Sequence, residues 1–254
     1  MNQLTARGFV LAARPYGEAD KIAQLYTYQW GLVRAIVKGV RKPKSKLASA
    51  LELFTESSFS LHKKSSADLY ILSQAKVMNS HGELKKDLAT ITALQVLADV
   101  LIQAIPDTEP HPEIYLLVEE TLAALANLSE GPELYLTAFG VKFLGMSGYP
   151  MELSLCAECQ SPLDKKKVYL IPHRGGALCE SCCPSGPGRL LVPPSSLEIL
   201  KKLKSLSMAK VHILKLRPAQ VRELFLTLLE YLERTVEKKL KIVEYYLKII
   251  PVKA

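Results

Sequence analysis

The spacing of apolar and polar positions changes character once along the chain. In the first 80 residues apolar positions come in short, β-branched or loosely alternating runs. These predict strands over about 6–13, 21–28, 32–40, 53–61 and 69–77. Turn residues separate them: Arg14-Pro15-Tyr16-Gly17 after the first and Trp30-Gly31 after the second. Five short strands within about 80 residues fit a small closed barrel better than an open sheet, because closure removes exposed edges. From Glu83 the period becomes helical. Leu84, Leu88, Ile91, Leu94, Val96, Leu97, Val100 and Leu101 predict a helix that ends at the proline-rich stretch 106–112. A second helix is expected over 113–128, and a third, carrying Leu134, Leu136, Phe139, Phe143 and Leu144, between Pro132 and Gly145. An irregular segment follows. Pro193-Pro194-Ser195 then opens a helix through Leu206, and 218–239 shows a stripe of Val221, Leu224, Phe225, Leu228, Leu229, Leu232 and Val236 opposite charged positions. Such stripes read as core.

Composition adds limits. A chain of 254 residues with 48% hydrophobic and 23% charged residues has a real core and is neither disordered nor a disulfide-stapled mini-protein. The longest apolar stretch, 115–128, is broken by Glu119 and Glu120, so no membrane span is expected. The first residues show no basic region leading into an apolar one, so no secretory leader is expected and a cytoplasmic location is.

The formal charge of +8 is uneven. Residues 1–80 hold 12 Lys/Arg and 5 Asp/Glu, whereas 81–254 hold 21 and 20. The excess peaks in Lys38-Gly-Val-Arg41-Lys42-Pro-Lys44-Ser-Lys46, five cations in nine residues with no anion. Gly39 and Pro43 make this a loop, and it directly follows a predicted strand. A solvated loop is the bland reading. A scaffold-held cationic loop on a small barrel is a platform for a polyanion, above all single-stranded nucleic acid. Phe9, Tyr16, Tyr26, Tyr28 and Trp30 lie in the same region; most should fill the barrel, with one or two left to stack on bases.

All five cysteines fall within 156–183, four of them as Cys156-x2-Cys159-x19-Cys179-x2-Cys182. Two CxxC pairs at this separation are a strong zinc signature, since each turn brings two thiolates to one ion. Four thiolates fill a tetrahedral sphere, so one structural zinc per chain is expected. Gly175-Gly176 precede the second pair, and Lys165, Lys166, Lys167 and Arg174 would offset the site's negative charge. An iron–sulfur cluster uses the same sulfurs, and unmetallated or redox thiols are a third reading. Cys183 is the spare, able to replace Cys182, and His173 is nearby. Signatures of catalysis are missing. His81-Gly82-Glu83 matches half of the zinc deaminase pattern, but Leu155 stands where that pattern has proline before the cysteine. No phosphate-binding glycine loop, dinucleotide fingerprint, metalloprotease helix or nucleophile elbow occurs. The sequence argues against an enzyme.

Ordered along the chain, several pieces resemble the RecO family of bacterial recombination mediators. They are Arg14-Pro-Tyr-Gly-Glu18-Ala-Asp20, Val37-Lys-Gly-Val-Arg-Lys-Pro-Lys-Ser45, Phe143-Leu-Gly, Gly148-Tyr-Pro, Leu155-Cys-Ala-Glu-Cys159 and Gly175-Gly-Ala-Leu-Cys179. The resemblance implies an α+β protein: a five-stranded OB-fold barrel over 1–80, then a helical domain over 81–150 and 191–254, interrupted by a four-cysteine zinc module over 151–190. It implies binding of single- and double-stranded DNA, annealing of complementary strands, and, with RecR, loading of RecA onto DNA coated by single-stranded DNA-binding protein, whose acidic tail is a further partner. Arg34, Lys38, Arg41, Lys42, Lys44 and Lys46 are the expected phosphate contacts. The charge pattern alone also fits an RNA-binding or ribosome-associated zinc-ribbon module, or an adaptor whose cations take an acidic peptide.

Overall fold

The computed structural model describes residues 2–43, 45–63, 69–105, 109–128, 131–163, 167–186 and 188–249. The chain forms two compact units, 1–116 with 240–246, and 117–239 with 247–254.

The first unit is built on β1 (Asn2–Tyr16), β2 (Asp20–Thr27), β3 (Gly31–Val37), β4 (Glu56–Lys63) and β5 (Tyr70–Asn79), closed in the order β1-β2-β3-β5-β4. All neighbours run antiparallel except β3 and β5, whose parallel pairing at Ala35–Tyr70 and Ile36–Ile71 closes the barrel. This is OB-fold topology. The first strand serves two partners: it pairs with β4 over Asn2–Phe9 and with β2 over Gly8–Tyr16, bending at a bulge between Val10 and Ala12. That explains why it runs past Pro15. Among the described residues only β2 pairs with β1 there, and an edge of this kind is where a strand tolerates proline. Inward positions fill the barrel: Ala6, Val10, Ala23, Leu25, Val33, Ala35, Val37, Phe59, Leu61 and Leu72, with Val40 and Leu51 at its end. After β5, α1 (Leu88–Ala104) starts at Asp87, whose carboxylate accepts the Thr90 N–H at 2.8 Å. The first turns of α2 (Pro112–Leu125) place Tyr115 in an aromatic cluster, 4.8 Å from the Phe9 ring and 5.4 Å edge-on from Tyr28. The Tyr115 hydroxyl donates to Glu56, a buried carboxylate that also pairs with Arg7.

In the second unit α3 (Glu133–Met146) is buried on almost every side. It packs against α4 (Pro194–Ser205) and α5 (Pro218–Val236). Gly140 permits the closest approach, because a Cβ there would stand 2.6 Å from Leu228. Of the expected α5 stripe, Leu224, Phe225, Leu228, Leu229 and Leu232 are buried and Val221 and Val236 are half-buried; Tyr231 joins the buried face, as does Arg222, which pairs with Glu133 at 3.2 Å. The segment expected to be irregular holds a three-stranded antiparallel sheet of β6 (Val168–Ile171), β7 (Gly176–Cys179) and β8 (Leu190–Val192), in the order β7-β6-β8. A sixth helix that the hydrophobic pattern does not predict, α6 (Lys241–Ile249), follows α5. No helix among the described residues is long and apolar enough to cross a membrane.

Candidate nucleic-acid interface and metal centre

The cationic loop leaves the barrel at the end of β3 and is held by named bonds. The Gly39 N–H donates to the Asp20 carboxylate at 2.7 Å, and the Arg41 N–H donates to the Ala19 carbonyl at 2.9 Å. The Arg41 guanidinium reaches the Gly17 carbonyl at 3.1 Å, and Val40 is sunk into the barrel end. Two further turns, Lys42 N–H to Gly39 and Ser45 N–H to Lys42, fold the loop on itself. The loop is thereby docked on the β1–β2 hairpin. Lys38, Arg41, Lys42 and Lys46 are exposed, and Arg34 points outward from β3 in register with Gln24. Lys44 lies outside the described residues. Arg41 spends one guanidinium donor on the fold and keeps the others for a ligand.

The aromatics divide. Phe9 and Tyr26 are fully buried, whereas Tyr16, Tyr28 and Trp30 are 51%, 38% and 41% exposed. Tyr16 adjoins the hairpin on which the loop docks. Tyr28 and Trp30 stand in the β2–β3 turn at the far end of those strands, about 20 Å along β2 at the usual rise per residue. One exposed ring, not three, therefore accompanies the cations.

At the second site Cys156, Cys159, Cys179 and Cys182 bring their sulfurs within 4.8 Å of one another. Tetrahedral zinc–thiolate bonds of about 2.3 Å put neighbouring sulfurs about 3.8 Å apart. The Cys159 and Cys179 sulfurs are 3.8 Å apart. The donor set fits one tetrahedral ion and leaves no open position. Backbone N–H groups converge on the sulfurs, as the Cys179 N–H does on Cys156 at 3.4 Å. Burial raises the Cys156 thiol, but the N–H groups of Cys159, Cys179 and Glu158 outweigh it and hold the thiol below its usual range. The Ser161 hydroxyl and N–H hold Cys159 down at about 6, while hydrogen bonding to Cys159 and Cys179 pushes Cys182 up to about 12. Sulfurs this close cannot all ionise without a cation among them. Cys183 directs its sulfur to the Pro184 carbonyl instead.

The first knuckle has supports that spacing did not reveal. The Glu152 carboxylate accepts the N–H groups of Ser154 and Leu155 at 2.7 and 3.0 Å. The Glu152 backbone bonds to Gly175 and Ala177, so closely that a Cβ on Gly176 would fall 2.3 Å from the Glu152 oxygen. With φ at +154° and +73°, Gly176 and Gly175 make the turn between knuckle and sheet possible. Arg174 is exposed and pairs with the Glu158 carboxylate at 3.3 Å, so the charge it offsets is that of Glu158. Lys167 is exposed, and Lys165 and Lys166 lie outside the described residues.

Comparison with known proteins agrees over nearly the whole chain. Residues 1–81 match the family profile described as Recombination protein O N terminal, and residues 85–242 match Recombination protein O C terminal. The chain belongs to the RecO family. Among its relatives, the DNA repair protein RecO of Desulforamulus reducens is 31% identical over 236 residues, covering 93% of this chain and 91% of that one. That of Anaeromyxobacter sp. strain K is 31% identical over 242 residues, covering 94% of each. That of Rubrobacter xylanophilus is 32% identical over 206 residues, covering 81% of this chain and 82% of its own. The RecO N-terminal match spans the barrel and its cationic loop; the C-terminal match spans α1 to α5 and all four clustered cysteines.

Proposed function

We propose that this RecO-family chain is a non-enzymatic, cytoplasmic mediator of recombinational DNA repair. It binds single- and double-stranded DNA, anneals complementary strands, and with RecR promotes loading of RecA onto DNA coated by single-stranded DNA-binding protein, whose acidic tail it engages. The observation that carries this reading is the loop 38–46, rich in cations and anchored to the barrel by Gly39, Val40 and Arg41. Arg34, Lys38, Arg41, Lys42, Lys44 and Lys46 contact phosphates rather than base edges, as a protein acting on arbitrary damage requires. Annealing follows if these cations screen two backbones while leaving bases free to pair. Zinc, one ion per chain on Cys156, Cys159, Cys179 and Cys182, clamps the module 151–190 inside the helical domain (81–150 and 191–254) and performs no chemistry.

Replacing Lys38, Arg41 and Lys42 together by alanine tests the assignment. On single strands each lost phosphate contact lowers the slope of log affinity against log salt by about 0.7, so the triple variant should lose about 2. A double variant sparing Arg41, whose guanidinium also holds the hairpin, should lose about 1.4. Unchanged slope and affinity would sink the loop assignment. Preference for matched RNA over DNA in competition would turn the reading toward RNA.

A further inference from the structure

The near-neutral balance of the helical part conceals a second acid-free stretch. Residues 199–222 carry seven Lys/Arg and not one Asp or Glu. Four are engaged within the second unit or have other interactions: Arg222 with Glu133, Lys201 with Glu198 at 2.7 Å, Lys204 with the Met151 carbonyl at 2.8 Å, and Lys215. Lys202, Lys210 and Arg217 are exposed and have no carboxylate partner among the described residues. The stretch is not a loose tail. Leu200, Leu203, Met208 and Val211 are buried to within 1%, and both α4 and the 3-10 turn Met208–Ile213 pack on α3. The Lys142 ammonium of α3 donates to the Lys204 carbonyl at 3.1 Å, bringing another cation to the end of α4. Between Lys202 and Lys210 the exposed uncharged residues, Ser205, Ser207 and Ala209, are small; between Lys210 and Arg217 the His212 and Ile213 side chains are also exposed.

Like charges fixed on a rigid frame repel unless an anion lies across them. Cations strung along some 16 residues, with small side chains between the first two, suit an extended, evenly charged chain better than a compact anion. We infer that Lys202, Lys210 and Arg217 form a second polyanion-binding surface, which takes the phosphate backbone of a nucleic-acid strand. The inference rests on the annealing function proposed above and supplies what annealing needs, a place for the second strand besides the barrel loop.

The test uses the full chain, a fluorescent mixed-sequence oligonucleotide and its complement. Replacing Lys202, Lys210 and Arg217 together by glutamine should slow annealing about tenfold or more and lower the salt slope by about 2. Zinc content and thermal midpoint should match the wild type, because all three side chains are exposed. Lys210→Gln alone should give a smaller step in the same direction. Wild-type annealing and salt slope in the triple variant would overturn the inference. So would polyglutamate binding that the variant loses while annealing stays intact, which would make this surface a protein-docking site. The two cationic sites fail separately. If the loop variant keeps single-strand affinity while this variant cannot anneal, the loop assignment falls and the second surface stands. If the loop variant loses affinity while this variant anneals normally, the loop stands and the second surface falls.

Discussion

The barrel and the four-cysteine module solve the same problem by different physics. In the barrel every strand sends side chains to one interior, and the parallel β3–β5 pairing removes the last open edge. The module has strands of 4, 4 and 3 residues, too short to hold a sheet by themselves. It also gathers four sulfurs within 4.8 Å of one another at one point. The barrel rests on apolar area spread over many residues; the module buries Leu153, Leu163, Val168, Leu170, Ala177 and Leu178 as well, and on the proposed reading adds a few ligand bonds at the four sulfurs. Damage should therefore be graded in the first and abrupt in the second.

The largest effect should follow loss of the ion. Structural zinc contributes on the order of 10–16 kcal/mol to small sites at neutral pH. Cys156→Ser removes a fully buried sulfur on which backbone N–H groups converge. The variant should purify with less than one zinc per chain and be cleaved by protease within 151–190. The chain's single tryptophan, Trp30, sits in the barrel, so its fluorescence should report an unchanged barrel transition. Freshly purified wild-type protein with well under one zinc per chain would remove the basis of the contrast.

Second in size is the barrel's core. Phe59 is fully buried between strands, paired with Ala6 on β1 and Ala75 on β5. Phe59→Ala leaves a cavity that neighbours this small cannot fill, at a cost of about 3–5 kcal/mol. That is a large part of the roughly 5–15 kcal/mol available to a domain. The Trp30 urea midpoint should drop while zinc content stays at one per chain. A drop in both would show that the two regions share their stability.

The same contrast explains what could be read from the sequence. Short β-branched or loosely alternating runs between turn residues mark out the five strands, because a half-buried strand turns alternate side chains inward. Their limits move where pairing, not hydropathy, decides: β1 passes Pro15, where among the described residues only β2 pairs with it, and β3 stops at Val37 although Val40 is still buried. Cysteine spacing locates the cluster of four sulfurs because the CxxC turns that build it are local. It does not single out Ser161, two residues from Cys159, or Glu152, whose carboxylate accepts the Ser154 N–H, because a polar residue near a knuckle is too common a pattern to read. The strands β6, β7 and β8 are shorter than any periodicity can register. Counting charge by thirds of the chain draws attention to 38–46 and averages away 199–222, where seven cations are balanced by acids elsewhere in the sequence.

The smallest effect separates the regions by pH. His81 follows β5 in a left-handed conformation (φ +48°), 6.2 Å from the Phe9 ring, with its Nε2 buried and unpartnered. Burial lowers its pKa below the usual 6.5; Glu56 pulls upward and Lys85 downward. A histidine favoured as the neutral form contributes stability that is present above about pH 6.5 and is lost as pH falls toward its lower folded value. Acid also weakens the metal site, since thiolates must be deprotonated to bind. A fall in stability with acid is therefore ambiguous in the whole protein and must be read region by region. His81→Asn keeps a residue that tolerates the left-handed conformation and removes the titration. Between pH 7 and 5 the Trp30 urea midpoint should fall less in this variant than in the wild type, while both lose zinc along the same pH curve. Identical midpoint curves would mean that His81 protonation does not burden the barrel, and that acid acts on this protein through its sulfurs.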